Sequence, residues 1–418
     1  MTVKTALKAL MTILNLALLL PSIARADDQR FSPDDEALYL KRVAEISNIA
    51  GRGLESYDPL EPVAGAPVAS LPRAKRQTIT ANALEAAKTY AAERKSSALI
   101  IWRKGKIEAE RYFGGFDATK PIVSKSLAKP VTALLIGRAI KLGYIKSLDQ
   151  PVADFITEWK GDPQREKIRI RHLLDMRSGF LMQGQPTGPQ DILNRAYLHP
   201  HHDDIIIRDY PLTSEPGTRY DYSNATSEMI APVIERATGK RYSAFLSEAL
   251  LKPIGAAGGS VWVNRPGGMA HSGCCLSLPA QSWLRMAVLL MNNGAWNGKA
   301  LLPKDYVATM WTPTLENPYY GMGVWVAGRY IERRGFAHPS IPFGKVLHSE
   351  PYAARDLYLF DGNSNQVVYI VPSQQLIVLR TGEGPPKTLE WDNVYLPNLL
   401  IRGIERRPGD AQPEPQPR

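Results

Sequence analysis

Hydrophobic and polar positions divide the chain into two ends that favour strands and a long middle that favours helices. Two β-rich runs, 98–102 and 107–113, flank a short turn that contains Gly105 and predict a hairpin. Four further β-rich runs lie near the other end: 324–327, 357–360, 367–371 and 376–380. We therefore expect strands from both ends of the folded region to share one antiparallel sheet.

Apolar residues recur at helical spacing in most of the remaining chain. The predicted helices are 35–49, 81–94, 126–142, 229–238 and 283–291. Because the last three lie between the two groups of strands, we predict an α+β fold in which helices flank the sheet and a large, mainly helical insertion interrupts it. A cleft between the sheet and this insertion is a natural place for a functional site.

The first 26 residues have the pattern of a cleavable secretion signal. Lys4 and Lys8 precede an apolar run, 9–20, and Ala24-Arg-Ala26 supplies small residues at the expected cleavage position. The run is shorter than the roughly 20 apolar residues that a membrane span requires. We predict a periplasmic or secreted protein with no stable membrane span after the signal is removed.

The rest of the chain divides by composition into three parts. Residues 27–80 contain four prolines between Pro59 and Pro72 and little periodicity, which predicts an N-terminal extension. The periodic segments place one folded domain at 81–405. Residues 406–418 are polar and proline-rich, which predicts a disordered tail.

Charge and cysteine content exclude some classes of protein. The chain has 51 basic and 41 acidic residues and a formal net charge of +10. The basic residues are scattered, and together with the export signal this argues against a nucleic-acid partner. Cys274 and Cys275 are adjacent in sequence and cannot form a stabilising disulfide framework, so we expect two buried free thiols.

The first candidate for chemistry is Ser126-Leu-Ala-Lys129, at the start of a predicted helix. Residues three apart lie on one helix face, so the hydroxyl and the amine can meet. A serine becomes a useful nucleophile when a neighbouring base takes its proton. Taken alone the motif is weak, because a capping serine followed by a solvated lysine has the same sequence.

The second candidate is Tyr222-Ser-Asn224, just before another helical run. A tyrosine close to a lysine can relay a proton, and the asparagine can bond the lysine or a substrate. A turn with a capping residue is the alternative interpretation of this string.

Together and in this order, the two motifs resemble those of the serine β-lactamase and penicillin-binding superfamily. They are most similar to the class C β-lactamase branch, which also contains D-alanyl-D-alanine peptidases, esterases and 6-aminohexanoate-dimer hydrolases. Three other segments resemble conserved segments of that branch: 142–152, 170–179 and 251–255.

The resemblance implies an acyl-enzyme hydrolase that needs no cofactor and acts on a small amide or ester. It implies that Ser126 is the nucleophile, that Lys129 and Tyr222 form the proton-transferring pair, and that Asn224 orients the lysine or the substrate. It leaves open which of Lys129 and Tyr222 takes the proton. It does not set the oligomeric state or the natural substrate.

The superfamily's third motif, Lys-Thr-Gly or His-Ser-Gly on a strand, has two candidates here. His271-Ser-Gly273 matches the letters but precedes a predicted helix, so we prefer Phe360-Asp-Gly-Asn363. Gly362 would let the backbone approach the substrate, and the Asn363 N–H would complete an oxyanion hole with that of Ser126.

This third segment carries no cation or histidine. That departure disfavours the alternatives of a β-lactamase or a D-alanyl-D-alanine carboxypeptidase, which use the cation to hold a substrate carboxylate. It favours the esterase and 6-aminohexanoate-dimer hydrolase members.

Two alternatives lie outside serine chemistry. A non-catalytic envelope-binding protein could use the same fold, but it would not need all four motif side chains. A metal centre is suggested by His199-Pro-His-His-Asp-Asp204, yet neighbouring histidines in a loop rarely converge on one ion. We therefore predict no metal, and we expect this string to lie in a mobile loop, 179–204, near the cleft.

Overall fold

The computed structural model describes residues 30–49, 58–67, 70–335, 341 and 344–418. The predicted signal at 1–26 lies outside the described residues. Within these ranges the α-helices are α1 (Pro33–Ile49), α2 (Ala81–Glu93), α3 (Lys129–Lys141), α4 (Ile170–Leu174), α5 (Ile192–Leu198), α6 (His202–Arg208), α7 (Asn224–Glu228), α8 (Ile230–Thr238), α9 (Tyr242–Leu246), α10 (Ala280–Met291), α11 (Tyr306–Trp311) and α12 (Tyr395–Arg402).

The strands in the same ranges are β1 (Leu60–Val63), β2 (Ser96–Arg103), β3 (Lys106–Tyr112), β4 (Ile122–Val123), β5 (Gly259–Trp262), β6 (Leu276–Leu278), β7 (Ala295–Trp296), β8 (Lys299–Ala300), β9 (Trp325–Val326), β10 (Arg333–Gly335), β11 (Lys345–Leu347), β12 (Tyr358–Gly362), β13 (Gln366–Val371) and β14 (Leu376–Gly382).

The main sheet contains six antiparallel strands in the order β3-β2-β14-β13-β12-β9. The N-terminal hairpin pairs with the C-terminal strand β14, which confirms the prediction that both ends of the folded region build one sheet. Most of the helices lie between β3 and β9 in the chain, so the predicted α+β arrangement with a helical insertion is also confirmed.

Side chains alternate between the two faces of this sheet and join two separate cores. In β2, Leu99 and Ile101 pack into a cluster with side chains of α2 and α12, whereas Ile100 packs into a second cluster with side chains of α3 and α10. Because β2, β13 and β14 are buried on both faces, their sequences are nearly continuous apolar runs.

A second sheet of four antiparallel strands, in the order β1-β5-β6-β4, was not predicted. Its strands are two to four residues long, which is too short for a periodic signal. β4 ends one residue before Ser124, whose backbone N–H donates to the Leu276 carbonyl at 2.8 Å. The small sheet therefore fixes the chain segment that leads into the turn of Ser126, the predicted nucleophile.

The described parts of the N-terminal extension pack on the folded domain. β1 pairs with β5, and α1 contacts α5. None of the helices in the described ranges combines the length and apolar character needed to cross a bilayer.

The tail is an exception to the sequence-based prediction. Residues 406–418, predicted to be disordered, lie against the main domain: the Gln416 side chain donates to the Ala327 carbonyl at 2.7 Å, and Lys104 pairs with Asp410. Composition misses this order because a few long-range contacts, not local periodicity, hold the tail.

Candidate active site

Ser126 lies on a 3₁₀ turn, Lys125–Ala128, that leads directly into α3. Its neighbour Lys125 has a φ of 49°, in the left-handed region that L-residues rarely adopt. Such backbone strain is often found at functional sites, where the surrounding structure maintains it. Ser126 itself is only partly buried, so its hydroxyl lies at the edge of the core rather than inside it.

Lys129 is one turn further along and is 2% exposed. Its Nζ lies 3.3 Å from Ser126 Oγ, 3.0 Å from Asn224 Oδ1 and 3.0 Å from the Gly273 carbonyl oxygen. Three acceptors surround Nζ, so the side chain is held in a single orientation beside the hydroxyl.

Tyr222 lies beside this pair. Lys129 Nζ is 4.9 Å from the centroid of the Tyr222 ring, and the phenol side chain is 5% exposed. Trp325 and Tyr320 contact the ring, at centroid distances of 6.4 Å and 6.3 Å. The structure thus brings together all four side chains of the two motifs, although 93 residues separate Lys129 from Tyr222 along the chain.

Gly362 is the last residue of β12 and packs against the turn that carries Ser126. A Cβ added at Gly362 would lie 2.8 Å from the Leu127 nitrogen and 2.8 Å from the Ser124 oxygen, both backbone atoms. Only glycine permits this approach. The exposed Asn363 follows at once, so its backbone and the Ser126 turn border the same space. We predicted the third motif at these two residues, and their role in an oxyanion hole stays a prediction.

The turn after Gly362 is held by Arg380, a residue of β14 that the sequence analysis missed. Its guanidinium donates to the carbonyl oxygens of Ser364 at 2.7 Å and Asn365 at 3.1 Å, and to Ser96 Oγ at 2.8 Å. The side chain is fully buried, and burial lowers the pKa of Arg380 to about 10. It is a positioning residue that does not face the site.

Arg380→Leu is expected to lower the free energy of unfolding by about 2–4 kcal/mol, because the buried Ser96 hydroxyl and the partly buried carbonyl oxygens of Ser364 and Asn365 would lose their donor. Arg402→Leu removes an exposed arginine that pairs with Glu350 and should cost less than about 1 kcal/mol. Denaturant unfolding of both variants measures the difference. Equal losses would show that Arg380 does not hold the turn.

His271-Ser-Gly273 is followed by a strand, β6, and not directly by a helix as predicted; α10 begins only at Ala280. The strand belongs to the small sheet, however, and the His271 side chain is fully buried between Trp262 and His202. What this segment contributes to the site is the Gly273 carbonyl that accepts from Lys129. A backbone acceptor leaves no signature in the sequence.

Cys274 and Cys275 form a disulfide bond with each other, so the prediction of two free thiols is wrong. The structure accommodates them with a left-handed backbone at Cys275, where φ is 63°. The Tyr197 hydroxyl contacts both sulfur atoms, at 3.5 Å and 3.4 Å.

Denatured but unreduced protein is therefore expected to take up no maleimide, and reduced protein to take up two per chain. Intact-mass measurement of the maleimide-treated protein counts the labelled cysteines before and after reduction. Labelling of both cysteines without reductant would restore the free-thiol prediction.

The segment 179–204 is not the simple loop that we predicted, because it contains α5 and leads into α6. Its histidines also diverge. His199 and His201 face the N-terminal extension, where His201 Nε2 lies 3.2 Å from Asp35, whereas His202 faces His271. Near the site, the Gln183 N–H donates to the Tyr222 carbonyl at 2.7 Å, which ties the segment to the second motif.

Known proteins resemble this chain in both sequence and structure. The sequence profile of the family described as Beta-lactamase matches residues 81–388. Esterase EstB of Burkholderia gladioli is 28% identical over 182 residues, which are 37% of this chain and 44% of the esterase. The 6-aminohexanoate-dimer hydrolase of Paenarthrobacter ureafaciens is 23% identical over 226 residues, which are 51% of this chain and 57% of that hydrolase.

Among solved structures, a Bacillus anthracis protein provisionally assigned as a 6-aminohexanoate-dimer hydrolase superposes with a TM-score of 0.61 at 19% identity, covering 85% of this chain and 90% of its own. A penicillin-binding protein from Bacillus halodurans gives a TM-score of 0.51 at 17% identity, covering 73% and 95%. At these identities the likeness establishes the fold alone, and the predicted β-lactamase/transpeptidase-like fold is confirmed.

Proposed function

Because the chain belongs to the beta-lactamase family, which includes hydrolases, we propose that it is a serine hydrolase that cleaves an amide or ester bond through an acyl-enzyme on Ser126. The observation that carries this proposal is the position of Lys129 Nζ, 3.3 Å from the Ser126 hydroxyl and fixed by Asn224 and Gly273. A buried amine held against a partly exposed hydroxyl is the arrangement that serine activation needs.

In the proposed reaction, the Ser126 proton passes to the Lys129–Tyr222 pair as Oγ forms a bond with the substrate carbonyl carbon. The negative charge that develops on the carbonyl oxygen is stabilised by backbone N–H groups of Ser126 and Asn363. When the tetrahedral intermediate collapses, the bond to the leaving group breaks and the pair returns the proton to it. Water then attacks the acyl-enzyme by the same steps and releases the acid.

The surroundings of Gly362 favour an uncharged acyl group as substrate. The segment Phe360-Asp-Gly-Asn363 carries no cation, and Arg380, which lies behind it, is fully buried with its donors occupied. A substrate carboxylate would therefore find no positive partner on this segment. We propose a small linear ester or amide as substrate, as the names of the esterase and 6-aminohexanoate-dimer hydrolase relatives suggest.

The test is paired turnover of a p-nitrophenyl ester and a chromogenic cephalosporin by wild type, Ser126→Ala and the exposed-serine control Ser147→Ala. We expect ester turnover in wild type and Ser147→Ala, loss of it in Ser126→Ala, and little cephalosporin turnover in any variant. Efficient cephalosporin turnover would favour β-lactamase chemistry instead. Unchanged ester turnover in Ser126→Ala would rule out the proposed nucleophile.

We further propose that the protein is exported, on the basis of the signal pattern at 1–26. Mass spectrometry of protein recovered from the periplasm or medium should find a mature N-terminus near Asp27. Recovery of the full-length chain from the cytoplasm alone would contradict export.

A further inference from the structure

Behind the candidate active site, three titratable side chains from three separate elements meet in the core. His202 begins α6, Glu228 ends α7, and His271 lies in the loop before β6. His202 and His271 are fully buried, and Glu228 is 3% exposed. One ring nitrogen from each histidine and one carboxylate oxygen lie within 4.8 Å of one another.

Little in the described structure neutralises or bonds this cluster. His202 Nε2 and both nitrogens of His271 have no hydrogen-bond partner among the described residues, and the Glu228 carboxylate has no side-chain donor, although the backbone N–H groups of Ser272 and Gly273 lie near it. His271 Nδ1 and Glu228 Oε1 are 3.4 Å apart. Buried polar groups are nearly always hydrogen-bonded or bound to an ion, so three unpartnered ring nitrogens beside a buried carboxylate require an explanation.

The three residues offer a donor set suited to a borderline divalent metal. Zn²⁺ binds imidazole nitrogen and carboxylate oxygen, and two histidines with one glutamate form a known set of protein ligands for it. Burial lowers the pKa of His202 to about 3 and that of His271 well below its usual value, which favours the neutral imidazole that binds metal, and it raises the pKa of Glu228 to about 7, so metal binding below that pH would release the proton of this carboxyl.

The rings are also held in place. The His202 and His271 rings stack with centroids 4.0 Å apart, and Trp262 stacks on the other face of His271 at 4.1 Å. Asn264 Nδ2 lies 3.2 Å from His202 Nδ1, which leaves Nε2 of that ring as the atom facing the cluster. Because imidazole lone pairs lie in the ring plane and these two rings are nearly parallel, Zn²⁺ binding at about 2.0–2.1 Å requires one ring to tilt as the ligands draw together.

We propose that His202, Glu228 and His271 form a buried site for a divalent metal ion, Zn²⁺ in the first instance. The site joins α6, α7 and the 271–275 loop. The Glu228 carboxylate lies against Gly273, where an added Cβ would be 3.0 Å from Oε1. Gly273 in turn provides the carbonyl that holds Lys129, and α7 begins with Asn224. The metal is thus a structural support for the groups around Lys129 and is separate from the acyl-transfer chemistry.

The test uses the full chain, purified without a polyhistidine tag, stripped with a chelator and titrated with ZnCl₂. We expect about one zinc per chain by mass spectrometric elemental analysis, and a higher Tm for the zinc-loaded than for the stripped protein. Glu228→Gln keeps the shape of the side chain and should weaken zinc binding by at least about tenfold. The control, His201→Asn, removes a histidine one residue from the cluster and should bind zinc like wild type.

Wild-type protein that takes up no zinc and shows no change in Tm would overturn the proposal, whatever the folding of the variants. Zinc uptake that is equal in Glu228→Gln and wild type would place the metal elsewhere and overturn it as well. Because both readouts are independent of turnover, neither outcome depends on the proposed hydrolase activity.

Discussion

Lys129→Met is expected to lower kcat/KM for a p-nitrophenyl ester by about 10²–10⁴-fold, the usual contribution of a positioned proton-transfer group. The thioether has nearly the shape of the lysine stem but cannot accept the Ser126 proton or bond Asn224 and Gly273. Steady-state kinetics measure the loss, and circular dichroism shows whether the fold is retained.

The matched control is Lys141→Met, at the exposed end of the same helix, α3. It should leave kcat/KM within about twofold of wild type, because Lys141 is exposed at the end of α3 that is far from Ser126. A folded Lys129→Met protein with wild-type kinetics would remove lysine from the mechanism. Tyr222→Phe is measured under the same conditions. Comparison of the two losses in kcat/KM shows how much each member of the proton-transferring pair contributes.

Gly362→Ala is expected to lower both activity and stability. The new methyl group would lie 2.8 Å from two backbone atoms of the Ser126 turn, so β12 and the turn must separate. Overpacking of this kind costs about 1–3 kcal/mol of the free energy of unfolding. A displacement of about 1 Å at a reacting centre can reduce turnover by about 10²-fold. Thermal unfolding and ester kinetics measure the two effects.

Gly384→Ala is the control for this substitution, because no atom lies within 4 Å of the Cβ position there. It should leave both the free energy of unfolding and the ester kinetics nearly unchanged. If Gly362→Ala behaved like Gly384→Ala, the contact between β12 and the nucleophilic turn would not matter for catalysis.

The main sheet and its flanking helices could be predicted because their signals are local. β13 and β14 are continuous apolar runs, and α3 repeats its apolar residues at helical spacing. The motifs Ser126-Leu-Ala-Lys129 and Tyr222-Ser-Asn224 were recognisable for the same reason, because each lies within four residues. The family to which they pointed is confirmed by the profile match over 81–388.

The features that were missed depend on contacts between distant parts of the chain. β4 pairs with β6 about 155 residues away, and two- or three-residue strands have no period to detect. Arg380 and the Gly273 carbonyl contact residues that are distant in sequence. Neither contact therefore leaves a local signal in the sequence. We considered His202 as a metal ligand only together with its neighbours in the 199–204 string, although Glu228 and His271, which lie beside it, belong to other elements.

The measurement that tests the central claim most directly is trapping of the acyl-enzyme. Wild-type protein is mixed with a slowly hydrolysed ester, quenched in acid and analysed by intact-mass and peptide mass spectrometry. The mechanism predicts a mass increase of one acyl group on the peptide that contains Ser126, absent from Ser126→Ala. An acyl group located on another residue, or turnover with no acylated peptide in either protein, would contradict it.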